Sequence, residues 1–141
     1  MSRAQVLAFL RGHALGVQAS VSPANRPQAA VVGFVVTDRF ELFFDTTEAT
    51  RKATNLRANA HVAFVIGGVG DGACTVQYEG IVDEPVGMDL DRLKSLYFAR
   101  FPDGPERGAW PGITYFRVRP VWLRVSNYTS TPPDVTELSF E

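Results

Sequence analysis

The chain has a single cysteine, Cys74, so no disulfide can form within it. Its two histidines, His13 and His61, do not fall with that thiol at the spacing of a zinc site, and no structural metal is expected. No apolar run approaches the ~18–20 residues of a membrane-crossing helix. The first residues, MSRAQVLAFLRGHALG, carry only short apolar stretches broken by Arg3, Gln5 and Arg11, which is the pattern of a packing helix and not of a signal peptide. A formal charge of −1 gives no global pull toward nucleic acid or an anionic membrane, so any anion binding must be local. Repeats, low-complexity tracts and linker-like shifts in composition are also missing. Together these absences imply one cytoplasmic domain over residues 1–141, with neither nucleic acid nor membrane as a partner.

What is present is a core former. With 45% apolar and 21% charged residues, a chain of 141 residues can bury roughly 68–70% of its unfolded surface. Residues 1–12 read as an N-terminal helix that presents Val6, Leu7, Phe9 and Leu10 and stops at Gly12. LGVQASVS, QAAVVGFVVT and FELFFD read as three strands, the first two joined by the turn SPANRP and the last two by Asp38-Arg39. A short helix carrying Ala49, Ala53 and Leu56 follows, and then a strand, HVAFVIG. Residues 67–72, GGVGDG, are glycine-rich, but no lysine and no helix follow at the spacing of a phosphate loop, so a flexible hairpin is expected. CTVQYEGIV alternates Thr75, Gln77 and Glu79 against Val76, Tyr78 and Ile81. MDLDRLKSLYFARF is an amphipathic helix, and ITYFRVRPVWLRVSN is a long strand interrupted at Pro120. Residues 126–141 show two prolines and little periodicity, and an irregular tail is expected. The connections between strands are too short for parallel crossovers. The economical fold is mainly β with helices (α+β): a six-stranded antiparallel barrel of Greek-key type with helices packed outside.

One stretch concentrates chemistry. Thr46, Thr47 and Thr50 stand with Arg51 and Lys52 where the central helix begins. Free N–H groups at a helix start carry partial positive charge, so hydroxyls and two cations there form a candidate phosphate seat. The same residues also fit a plainer reading, in which Thr46 or Thr47 caps the helix and the cations face water.

The run from ALGVQASVSPANRPQAAVVGFVV through ELFFDTTEATRKATNLRANAHVAFVI to FRVRPVWLRV resembles the pyridoxamine 5'-phosphate oxidase-like family of flavin-binding split barrels, from about His13 to Val125. The resemblance implies a homodimer with flavin mononucleotide at the subunit interface. It places Thr46, Thr50, Arg51 and Lys52 at the phosphate, Thr75 or Gln77 as a donor toward the cofactor, and Trp122 over the flavin from the partner subunit. Arg26 falls in the first hairpin turn, and residues 32–36 supply backbone near the ring. Tyr97 and Arg100 fall in a shortened version of the family's substrate-side Tyr-Phe-Arg-Pro run. Two departures stand out: Asn59-Ala60 replaces the usual Asn-Pro, and no Arg-x-His follows near the C-terminus. The second argues against oxidation of pyridoxamine phosphate itself. The expected function is that of an oxidoreductase moving hydride or electrons to or from a small molecule, with no catalytic residue identified. A deazaflavin-dependent reductase on the same barrel is the first alternative. The second is a non-catalytic flavin- or haem-binding protein, with His61 as the haem ligand to test.

Overall fold

The structure is a computed structural model and describes residues 1–70 and 72–141. Asp71 lies outside them, and with it the centre of the expected glycine-rich hairpin.

Helix α1 (Arg3–Arg11) opens with a reciprocal capping box, in which the Gln5 N–H donates to Ser2 Oγ at 3.1 Å and the Ser2 N–H to Gln5 Oε1 at 2.8 Å. It buries Val6 and Leu10. The strands that follow are β1 (Leu15–Val21), β2 (Pro27–Gly33), β3 (Val35–Val36), β4 (Leu42–Thr47), β5 (His61–Ile66), β6 (Cys74–Asp83), β7 (Ile113–Asn127) and β8 (Asp134–Ser139). Helix α2 (Arg51–Ala58) separates β4 from β5, while α3 (Gly87–Arg100) and α4 (Gly104–Arg107) separate β6 from β7.

All pairings are antiparallel, in the order β2-β1-β5-β6-β7-β4-β3. The two ends of that order are consecutive in the chain, divided only by Phe34, so the sheet must curl until its ends meet. That makes a barrel of six strand lengths, because β2 and β3 are one run broken at Phe34. QAAVVGFVVT thus divides where a single strand was expected. The added strand is β8, which pairs along the second half of β7. The expected irregular tail is therefore corrected: its TELS segment finds hydrogen-bond partners on an open edge of β7, which periodicity could not reveal.

Inside the barrel lie Phe34, Leu42, Phe44, Phe64, Ile66, Tyr78, Phe116 and Leu123. A second cluster, Val35, Phe43, Leu93 and Tyr97, holds α3 on the outside of β4. Burial on both faces explains the unbroken apolar run Leu42-Phe43-Phe44. Three further expectations shift. Ile81 lies on the exposed face, because strict alternation gives the core Val76, Tyr78, Gly80 and Val82. Ala49 is exposed and precedes α2. The turn between β3 and β4 spans Thr37 to Glu41, closed by the Thr37 N–H on the Glu41 carbonyl at 2.9 Å, with Phe40 at φ +64°.

Strand β7 carries a bulge. Glu79 pairs with Trp122 and Gly80 with Pro120, so Val121 has no counterpart on β6. A methyl group on Gly80 would stand 2.5 Å from Val118 and 2.6 Å from the Arg119 carbonyl, and only glycine fits this crossing.

Candidate anion-binding site

Helix α2 begins directly after β4, and its cap is Thr50, not Thr46 or Thr47. Thr50 has extended backbone, and its Oγ1 accepts the Ala53 N–H at 3.3 Å while donating to the Thr47 carbonyl at 2.8 Å. A hydroxyl has one proton, so the 3.0 Å contact between Thr46 and Thr50 has Thr46 as donor. Both hydroxyl protons are engaged within the turn. The N–H groups of Arg51 and Lys52 have no acceptor among the described residues and stand at the positive end of the helix.

The buried face of α2 ties it to the first hairpin. Asn55 donates from Nδ2 to Ser20 Oγ at 3.0 Å and to Gln28 Oε1 at 2.7 Å. These two bonds use both protons of its amide, occupy the Gln28 oxygen, and leave the Gln28 Nε2 and the Ser20 proton as donors. Beside them Gln18 is 1% exposed, and its Nε2 has no hydrogen-bond partner.

Gln18, Ser20, Gln28, Arg51 and Lys52, with the small side chains of Ala29 and Ala30, line one cleft of about 370 Å³. No carboxylate lines it, and its polar groups are amides, a hydroxyl and two cations. Such a cleft suits a ligand rich in acceptors and carrying negative charge. Of the expected residues, Arg51 and Lys52 come together here, and Thr46 and Thr50 build the turn beneath them.

The remaining candidates lie elsewhere. Thr75 donates to the Gly67 carbonyl at 3.2 Å. Gln77 and Trp122 line a separate hollow of about 220 Å³ on the outer face of the sheet, with Val17, Ala19, Ala63 and Val65. Trp122 Nε1 donates to Glu137 Oε2 at 3.4 Å. That face is apolar in register: Val31, Val17, Val65 and Gln77 form one row, and Ala29, Ala19, Ala63 and Glu79 the next. Val31 is 65% exposed there. Arg26 sits in the exposed β1–β2 turn, and Val32, Phe34, Val35 and Val36 are buried.

Tyr97 and Arg100 do not share a site. Tyr97 is buried and donates to Asp45 Oδ1 at 3.1 Å, while Arg107 Nε donates to Asp45 Oδ2 at 2.8 Å. Burial first, and then the Asp45 charge, push the Tyr97 hydroxyl up to about 12. Arg100 donates to the Arg11 carbonyl at 3.1 Å and lines a hollow of about 290 Å³ between α1 and α3, with Leu10, Phe34, Val36 and Leu96. His61 is exposed at the start of β5. Reading along the sequence did not find Gln18, Gln28 or Asn55. Their one signal was a polar residue, Gln18, in the inward phase of a strand.

Known structures share this architecture. A haem-binding protein from Mycobacterium smegmatis superposes with a TM-score of 0.80 at 14% identity, over 96% of this chain and 58% of that one. HutZ, a haem storage protein from Vibrio cholerae, gives 0.73 at 15% identity, over 84% and 89%. An F420 reductase gives 0.63 at 20% identity, over 82% and 93%. No curated protein matches the sequence. These likenesses concern the fold. Residues 2–127 match the family model described as pyridoxamine 5'-phosphate oxidase, which covers the barrel, α2 and the cleft beside it, and the chain belongs to that family.

Proposed function

We propose that this protein is a flavin mononucleotide-binding oxidoreductase that holds the cofactor's phosphate in the cleft at the start of α2. The observation that carries the reading is the chemistry of that cleft, which two cations and two amides line without a carboxylate, beside two helix N–H groups that have no acceptor among the described residues. Arg51 gives a planar fork and Lys52 a point charge, and the dianion supplies the acceptors this end of the helix lacks. Thr46 and Thr50 fix the turn that aims those groups. When bound, the flavin would supply the redox chemistry; the chain's residues bind, orient and shield it.

Thr75, Gln77 and Trp122 stand on the exposed apolar face and not in the cleft. They serve the cofactor if that face packs against a second copy, and a row in which Val31 and Val65 are exposed beside a half-buried Val17 favours such a homodimer. Tyr97, tied to Asp45, supports α3, while Arg100 is the better placed of the two for a small-molecule substrate. The deazaflavin coenzyme is the alternative cofactor, with Arg57 as a further cation along α2. Arg57 pairs with Glu84 at 2.9 Å, which draws its charge away from the cleft.

The test is the visible spectrum of the protein after addition of flavin mononucleotide and desalting. Retained flavin bands are expected. A colourless protein refutes the reading, and a bound cofactor that stays reduced in air favours deazaflavin.

A further inference from the structure

Polar groups facing a core are rare without partners, because an unmet buried N–H keeps its desolvation cost. Gln18 is such a group. It stands on β1 between Gly16 and Ser20, on the face turned to the barrel interior, and its amide nitrogen is sealed from water with no acceptor. An apolar side chain would fill the position at lower cost. The same residue lines the cleft that holds Arg51 and Lys52. Its neighbours make the arrangement directional: the Asn55 amide donates to the oxygen of Gln28, which holds that side chain with its N–H groups on the opposite side. The terminal torsion of a glutamine is its softest, and a turn about it brings the Gln18 N–H toward the cleft.

We infer that Gln18 is a ligand-binding residue, whose amide donates to an oxygen of the bound phosphate ester, and that Asn55 is a positioning residue that orients Gln28 to do the same. The inference rests on the phosphate-seat reading and adds to it a selection for acceptors beside the phosphate. The cleft then takes a phosphate joined to a hydroxylated chain, whose oxygens can accept from both amides.

The two roles of Gln18 separate in the variant Gln18→Met, measured without ligand by urea denaturation and with flavin mononucleotide by fluorescence titration. The stability of the ligand-free protein is expected to stay equal or rise, since an unpaired buried amide has been removed. The dissociation constant for flavin mononucleotide is expected to rise about tenfold, the loss of one hydrogen bond to a charged group. Opposite signs in the two measurements identify a ligand-binding residue. If Gln18→Met does not fold, Gln18→Leu carries the same comparison. An unchanged dissociation constant, at whatever stability, overturns the inference alone. If the parent protein itself fails to bind flavin mononucleotide, the phosphate-seat reading falls and takes the inference with it.

Discussion

Replacing Arg51 and Lys52 together by alanine removes two positive charges from the cleft and touches nothing else that holds the fold. Neither side chain is in the core, and the cap at Thr50, the Asn55 bonds and the buried Leu56 all remain. Folding stability should change by no more than about 0.5 kcal/mol. Binding should change far more. A charge-assisted hydrogen bond contributes roughly 1.5–3 kcal/mol, and Arg51 is exposed, so screening by water reduces its share; about 1–1.5 kcal/mol for each residue is the working figure. The pair then contributes about 2–3 kcal/mol, or roughly a 30- to 150-fold weaker affinity for flavin mononucleotide. The assay is fluorescence titration of parent and variant with flavin mononucleotide and with riboflavin, which lacks the phosphate. The parent should prefer the phosphorylated form, the variant should lose most of that preference, and riboflavin affinity should hardly move. Raising the salt should narrow the gap for the parent. Equal losses for both ligands would mean that the substitution damages the site generally. Unchanged affinity for flavin mononucleotide would place the phosphate elsewhere.

Two further outcomes test the scaffold. The Tyr97 hydroxyl is raised from its ordinary value near 10 to about 12, so the native state holds this proton more tightly than the unfolded chain. Its contribution is complete below pH 10 and is lost as pH climbs through 10 toward 12; Tyr97→Phe should make the fall in stability over that window shallower in urea denaturation, and an unaltered slope would show that Tyr97 is not shielded. Gly80→Ala forces a methyl group into Val118 and the Arg119 carbonyl at the β6–β7 crossing; a loss of about 3 kcal/mol, seen as a melting temperature lower by about 10 °C, is expected, and a wild-type melting temperature would mean that the bulge relaxes freely.

The barrel was legible because its signals are local. Alternation in CTVQYEGIV, the spacing of Leu90, Leu93, Leu96 and Tyr97, of which Leu96 proves exposed, and short connections each report on a few neighbouring residues. Arg51 and Lys52 were legible for the same reason, lying next to each other at a helix start. What the sequence hid depends on partners far along the chain. Gln18 meets the cleft only once α2 packs on the first hairpin, and Asn55 reaches Gln28 across 27 positions. Asp45 and Arg107 stand 62 apart, and nothing near either one announces the pair. Strand β8 was hidden differently: its own residues have weak strand character, and the edge of β7 supplies the order.

The bulge at Val121 acts as a frame shift in side-chain direction. Before it, Phe116 and Val118 point inward; after it, Leu123 and Val125 do, and Trp122 is thrown onto the outer surface opposite Glu79. An unbroken strand would alternate without pause and drive the indole into the barrel. Taking up Val121 as a bulge therefore decides which side of the wall the tryptophan serves. Loss of the Val121 codon would make the strand regular and leave Trp122 outside, so the bulge is what lets the chain carry one more residue here without turning its aromatic inward.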